Sequence, residues 1–242
     1  MAFWDKLSSR GHVEDRRSMV PVAGGIGVGG LALYLVATVL LGGEVDLAQV
    51  LGSNNELWLR VFAQNNTSYS PPSLVLFRTA TTSSCGSATS QVGPHYCPID
   101  QTIYLDETFF DELRTRFGAQ GGDVAEAYVI AHEVGHHVQN QLGILEETQR
   151  GGNDVSVQVE LQADCFAGLW ANSIRDQGVF EPGEIAEAMD AAAAVGDDRI
   201  QEKVTGYINP ESWTHGSSAE RVAWFTKGYE SGDVSVCDTF TP

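Results

Sequence analysis

VAEAYVIAHEVGHHVQNQL, Val124 to Leu142, is an apolar-periodic run with His132-Glu133-Val134-Gly135-His136 at its centre. As a helix it puts residues 132 and 136 one turn apart on one face. Two imidazoles so placed can share a metal ion, and the Glu133 carboxylate projects beside it. A zinc hydrolase needs this arrangement of ligands and adjacent base. A catalytic zinc site also needs a third protein ligand, with the fourth position left to water. The metzincin extension would require glycine at position 139 and histidine at 142, where this chain has Gln139 and Leu142.

The third ligand is expected from Val159 to Gly168, VELQADCFAG. Glu160 and Asp164 share a helix face with the small residues Ala163 and Ala167, so this helix can approach another closely. Glu160 reaches the metal, and Asp164 accepts the N–H of a ligating histidine and fixes its tautomer. The alternative is Asp164 as the ligand. Leu161, Phe166, Leu169 and Trp170 make the helix largely buried, where a carboxylate pair without a cation is costly. Farther on, His215 stands in a loop before a helix and is a candidate donor to an oxyanion. Arg221, six residues later, is a candidate to orient His215 or bind a substrate carboxylate or carbonyl. His137 is expected to point off the metal face.

Outward from these helices, Ser73–Phe77 and 102–105 read as strands. Asn54 is expected to cap a helix carrying Trp58 and Phe62, and Asp106 to open one ending near Gly118. Glu181-Pro182 starts a helix through the alanine run 191–194, and Ser217 or Ser218 caps the last. The fold expected is α+β: a mainly helical zincin-like domain with a small β-sheet, preceded by one transmembrane helix.

That last element rests on Val20 to Leu41, 22 residues without charge, where about 20 cross a bilayer core. Arg16 and Arg17 precede it and Glu44 follows. By the positive-inside rule the chain divides into a cytoplasmic segment 1–19, a transmembrane anchor 20–43 and an extracytoplasmic domain 44–242. An uncleaved anchor is preferred over a signal peptide, whose apolar region would be shorter. Gly25-x-x-x-Gly29 offers a weak homodimer face in the membrane. Gly25-x-Gly27-x-x-Gly30 has the form of a dinucleotide loop but lacks a preceding strand.

The chain of 242 residues carries a net charge of −18. Its first 43 residues sum to +1, leaving the remainder near −19. So acidic a domain would be repelled by nucleic acid. Four cysteines, at 85, 97, 165 and 237, in a domain placed outside suggest disulfides. Three pairings are possible; Cys85–Cys97 with Cys165–Cys237 is the one expected. The competing reading makes one thiol, Cys165, a metal ligand, but it lies about 100° around the helix from Asp164.

The chain resembles the putative neutral zinc metallopeptidase family of bacterial proteins with one N-terminal membrane span. The resemblance runs over nearly the whole chain. It is carried by Val13 to Arg17 (VEDRR), Cys85 to Ala88, Gly93 to Pro98 (GPHYCP), Tyr128 to Gln139, Glu160 to Gly168, Ala191 to Asp198 and Thr214 to Ser217. The family pattern often has Phe at the position of His95. Membership implies a zinc-dependent peptidase with one zinc ion, acting on a peptide or protein substrate at the bacterial cell membrane. Glu160-x-x-x-Asp164 is also similar to the third-ligand segment of thermolysin-like peptidases. His215 with Arg221 resembles the His-Pro-x-x-x-x-Arg segment of membrane-embedded prenyl-protein and heat-shock proteases, with Gly216 in place of proline.

The expected mechanism uses His132, His136 and Glu160 as ligands, Glu133 as general base, and His215 as oxyanion donor, with an extended substrate added to the edge of strand 73–77 or 102–105. The competing function is a membrane-anchored scaffold or chaperone-like binder with structural zinc. It would require a fourth protein ligand.

Overall fold

Ser73–Phe77 and Thr102–Asp106 are buried along nearly their whole length, as strands covered on both sides are. In the computed structural model, which describes residues 1–18, 45–148 and 150–241, they are the two central strands of a small sheet. In chain order the strands are β1 (Val13–Asp15), β2 (Ser73–Phe77), β3 (Ala80–Ser83), β4 (Gly86–Thr89), β5 (His95–Cys97) and β6 (Thr102–Asp106). The sheet runs β1-β2-β6-β5, parallel except for antiparallel β5, while β3 and β4 form a separate hairpin. Side chains alternate across it. Leu74, Leu76, Ile103 and Leu105 face the main core, and Val75, Phe77 and Tyr104 form a second cluster with Ala88 and Cys97.

The helices are α1 (Leu47–Gln64), α2 (Thr108–Thr115), α3 (Asp123–Gln141), α4 (Ile144–Thr148), α5 (Asn153–Ile174), α6 (Ile185–Ala194), α7 (Asp197–Thr205) and α8 (Ser218–Ser231). The cap of α1 is Asp46, whose carboxylate accepts from the amides of Ala48 and Gln49. Asn54, the expected cap, lies inside that helix and donates to Val50 O. Ser217 caps α8 in a reciprocal capping box with Glu220. Helices α5 and α8 touch backbone to backbone, because a Cβ on Gly168 would run into Phe225 O and one on Gly228 into Cys165 O. Trp58, Phe166 and Trp170 fill the centre of the core.

The structure corrects the membrane reading. The span expected at 20–43, with its glycine dimer face, falls within 19–44, outside the described residues. Among the described residues no helix is long and apolar enough to cross a membrane. Residues 1–18 also pack into the same body as residues 45–241. β1 pairs with β2 in the register Val13↔Leu74 to Asp15↔Leu76. Trp4 is buried and stacked on Trp170, with ring centroids 6.4 Å apart. Gly52 has no room for a Cβ against the backbone of Ser9. A hydrocarbon layer about 30 Å thick cannot separate two hydrogen-bonded strands. The expected single crossing, with 1–19 cytoplasmic and the domain outside, does not hold, and neither does the single-pass cell-membrane localisation that followed from it. The fold class is α+β with a small sheet, and among the described residues no helix is a membrane span.

Candidate metal centre

Helix α3 carries His132, Glu133 and His136, and α5 crosses it carrying Glu160 and Asp164. Their approach depends on Gly135, where a Cβ would lie 2.9 Å from Ala163 Cα and 3.0 Å from Ala163 O. This contact brings the Glu160 carboxylate between the two imidazoles: Oε2 is 3.3 Å from His132 Nε2 and Oε1 3.4 Å from His136 Nε2. Donors about 2.0–2.1 Å from a tetrahedral zinc stand about 3.3 Å apart. The carboxylate-to-nitrogen spacings therefore match those around a tetrahedral zinc, and the donor set suits that metal. Among the described residues this group offers three ligands.

Each imidazole is oriented by its other nitrogen. His132 Nδ1 donates to Asp164 Oδ1 at 2.9 Å. Asp164, fully buried, also accepts from Tyr128 Oη at 2.6 Å and from Arg221 Nε and Nη2 at 2.8 and 3.0 Å. Burial alone would raise the Asp164 pKa, but Arg221 and His132 outweigh it and hold the carboxyl below its usual range. Burial lowers the pKa of His132, and the Asp164 and Glu160 carboxylates reverse this and lift it to about 9 in the metal-free chain. Glu160 is likewise held well below the ordinary range, the two histidines overcoming its desolvation. His136 Nδ1 donates to Gln139 Oε1 at 2.9 Å.

Glu133 is buried beside this group, and its Oε2 has no hydrogen-bond partner in the protein. A cavity of about 590 Å³ opens over His132, His136, Glu160, Glu133 and His215, with Phe109, Phe117, Val129, Leu145, Val195 and Ile200 on its walls. His215 is half exposed at this cavity, its Nδ1 3.2 Å from Asp197 Oδ1. Asp197 Oδ2 accepts from the amides of Thr214, His215 and Gly216, which fixes the loop. Burial disfavours the Asp197 carboxylate, yet the hydrogen bonds from His215 and the loop amides keep its pKa low.

Arg221 lines the same cavity. It is buried on Asp164, Tyr128 and Val195 O, so its fork supports Asp164 behind His132 and makes no hydrogen bond to His215. His137 does point away from the metal face, toward Tyr96 and Ser70. Neither β2 nor β6 has a free edge, since β2 lies between β1 and β6 and β6 between β2 and β5. Substrate addition at 73–77 or 102–105 is therefore blocked. The sheet edge at the cavity belongs to β5, whose His95 and Tyr96 line it. Both expected disulfides are present, Cys85–Cys97 and Cys165–Cys237, so Cys165 is no ligand.

Three supporting residues were missed in the sequence: Tyr128, Gln139 and Asp197. Gln139 follows His136 by three positions, a spacing that puts both on one helix face. Tyr128 precedes His132 by four, with the same consequence. No local spacing connects Asp197 to His215.

Residues 43–240 match the family described as putative neutral zinc metallopeptidase. The uncharacterized protein YpfJ of Escherichia coli (strain K12) is 46% identical over 199 residues, covering 79% of this chain and 69% of that one. The uncharacterized protein Rv2575 of Mycobacterium tuberculosis is 50% identical over 186 residues, covering 72% of this chain and 64% of that one. No solved structure matches the chain significantly. The chain belongs to the putative neutral zinc metallopeptidase family.

Proposed function

We propose, with that membership as the premise, that this chain is a zinc-dependent peptidase whose ligands are His132, His136 and Glu160 and whose general base is Glu133. When bound, zinc supplies Lewis acidity, which acidifies a water and polarises a peptide carbonyl. Glu133 takes the proton of the attacking water and passes it to the leaving amine. His215, held by Asp197, donates to the oxygen of the cleaved carbonyl. Asp164, Arg221 and Tyr128 keep the His132 Nε2 lone pair aimed at the metal. The free edge of β5 aligns an extended peptide in the cavity.

The observation that carries the reading is Glu133 Oε2, a buried carboxylate oxygen without a partner beside a three-ligand group in an open cavity. A scaffold with structural zinc would use a fourth protein ligand and has no use for a buried, unpaired acid. The test is a set of single substitutions in the full chain. Glu133→Gln is expected to retain about one zinc per chain and to lose chelator-sensitive peptide cleavage by at least about 100-fold. His132→Ala and Glu160→Ala are expected to lose the metal. Cleavage at the native rate by Glu133→Gln would remove Glu133 from the role of base.

A further inference from the structure

The two histidine ligands are supported in different ways. His132 leans on a charged group, the Asp164–Arg221 pair. His136 leans on neutral amides that lead out of the site. Gln139 Nε2 donates to Val159 O at 2.7 Å and to Gln162 Oε1 at 3.1 Å. Gln162 Nε2 in turn donates to the backbone carbonyl of Cys237 at 3.0 Å. Gln139, Gln162 and Cys237 are all buried.

The direction of this chain is forced from its far end. A backbone carbonyl only accepts, so the Gln162 amide nitrogen must face Cys237 and its oxygen must face Gln139. The Gln139 nitrogen then faces two carbonyl oxygens, which leaves its own oxygen for His136. His136 must carry its proton on Nδ1, and its Nε2 lone pair is free toward Glu160 and the ligand position. The terminal carbonyl is itself pinned: Cys237 is joined to Cys165 of α5, one residue beyond Asp164. Thr239 Oγ1 holds the same tail to Gln158 O at 2.7 Å.

We propose that Gln139 and Gln162 are positioning residues that fix the tautomer of His136, and that the Cys165–Cys237 disulfide anchors this relay, so that the C-terminal tail sets metal affinity from outside the cavity. The inference rests on the reading of His132, His136 and Glu160 as a zinc site. Its readout is zinc affinity rather than turnover.

Zinc affinity is measured on the purified full chain by competition with a chromophoric chelator, with urea unfolding alongside. Gln139→Leu is expected to weaken zinc binding roughly 10- to 100-fold. Gln139→Glu is expected to recover most of that loss, because a carboxylate oxygen still accepts from Nδ1–H. A residue that only fills space would give the opposite order, since a buried charge packs worse than leucine. The paired replacement Cys165→Ala with Cys237→Ala is expected to weaken zinc binding several-fold. The pair Cys85→Ala with Cys97→Ala, which also opens a loop, is expected to leave affinity unchanged and controls for stability. If Gln139→Leu does not fold, the two cysteine pairs still decide the matter. Native affinity in Gln139→Leu, or equal losses from both cysteine pairs, overturns the relay. Absence of zinc binding by the unsubstituted chain overturns the metal reading instead.

Discussion

His137 follows the candidate ligand His136 in sequence and serves a different end. Its Nε2–H donates to Ser70 O at 2.6 Å and its Nδ1 accepts from Tyr96 Oη at 2.9 Å, which ties α3 to β5 and to the segment before β2. The ring is fully buried in this neutral form, and burial pushes its pKa down to about 4. In the unfolded chain the value is about 6.5, so between these limits the unfolded state binds more protons. Stability therefore falls as pH drops from about 6.5 toward 4, by about 3 kcal/mol for this one group. Urea unfolding of the metal-free chain at pH 7, 5.5 and 4.5 measures the slope, and His137→Asn should flatten it. A slope unchanged by that substitution would assign the acid sensitivity to other groups. The same residue shows what can be read in advance. Helical geometry alone turns it from the metal face, as it aligns His132, Glu133 and His136. Its partners lie about 41 and 67 positions away in the chain, and only the folded packing brings them near. Asp197 was hidden for the same reason, being tied to a loop by amides rather than by a periodic pattern.

At the level of elements, the site is the crossing of α3 and α5, and Gly135 sets its closeness. The sequence announces one side of this contact through the small residues Ala163 and Ala167 on α5; Gly135 on α3 is the other side. The edges of the sheet were not announced. β1 and β5 have three residues each, too few for a periodicity to emerge, and the partner strand of β1 begins 60 positions later. The sequence alone therefore presents β2 and β6 as edges, whereas in the sheet they are central. Gly135→Ala tests the crossing. In a helix interior, alanine is favoured over glycine by about 0.8–1.0 kcal/mol. Here the new Cβ meets the backbone of Ala163, which cannot rotate aside, and overpacking costs about 1–3 kcal/mol. The net expectation is a modest loss of stability together with weaker zinc binding, because α5 must shift and take Glu160 with it. Urea unfolding and chelator competition on the one variant give both numbers. A gain of stability with native affinity would show that the helices have slack.

Over the whole molecule, the two helices of the candidate metal centre and the first 18 residues belong to one core. Trp4 stacks on Trp170 of α5, packs edge-on to Phe180, and donates from Nε1 to Asp123 at the start of α3. One buried side chain thus joins the beginnings of the chain to both helices of the site. Arg17 extends the contact at the sheet edge, pairing with Asp15 and with Glu107 at 2.7 and 2.6 Å. An apolar run read by composition alone divides this chain at residue 20. The packing of β1 on β2 and of Trp4 on α5 reunites the two parts, and sequence windows cannot see contacts across 166 positions. Trp4→Ala should then behave as a core truncation and cost about 3–5 kcal/mol. The loss should also reach the metal site, since the amino end of α3 loses the Trp4 hydrogen bond to Asp123. Unfolding of the full chain with and without zinc separates the two effects. A global loss of stability with an additional drop in zinc affinity is expected. If Trp4→Ala unfolds at the native denaturant concentration, residues 1–18 are an appendage and not part of the core that holds α3 and α5.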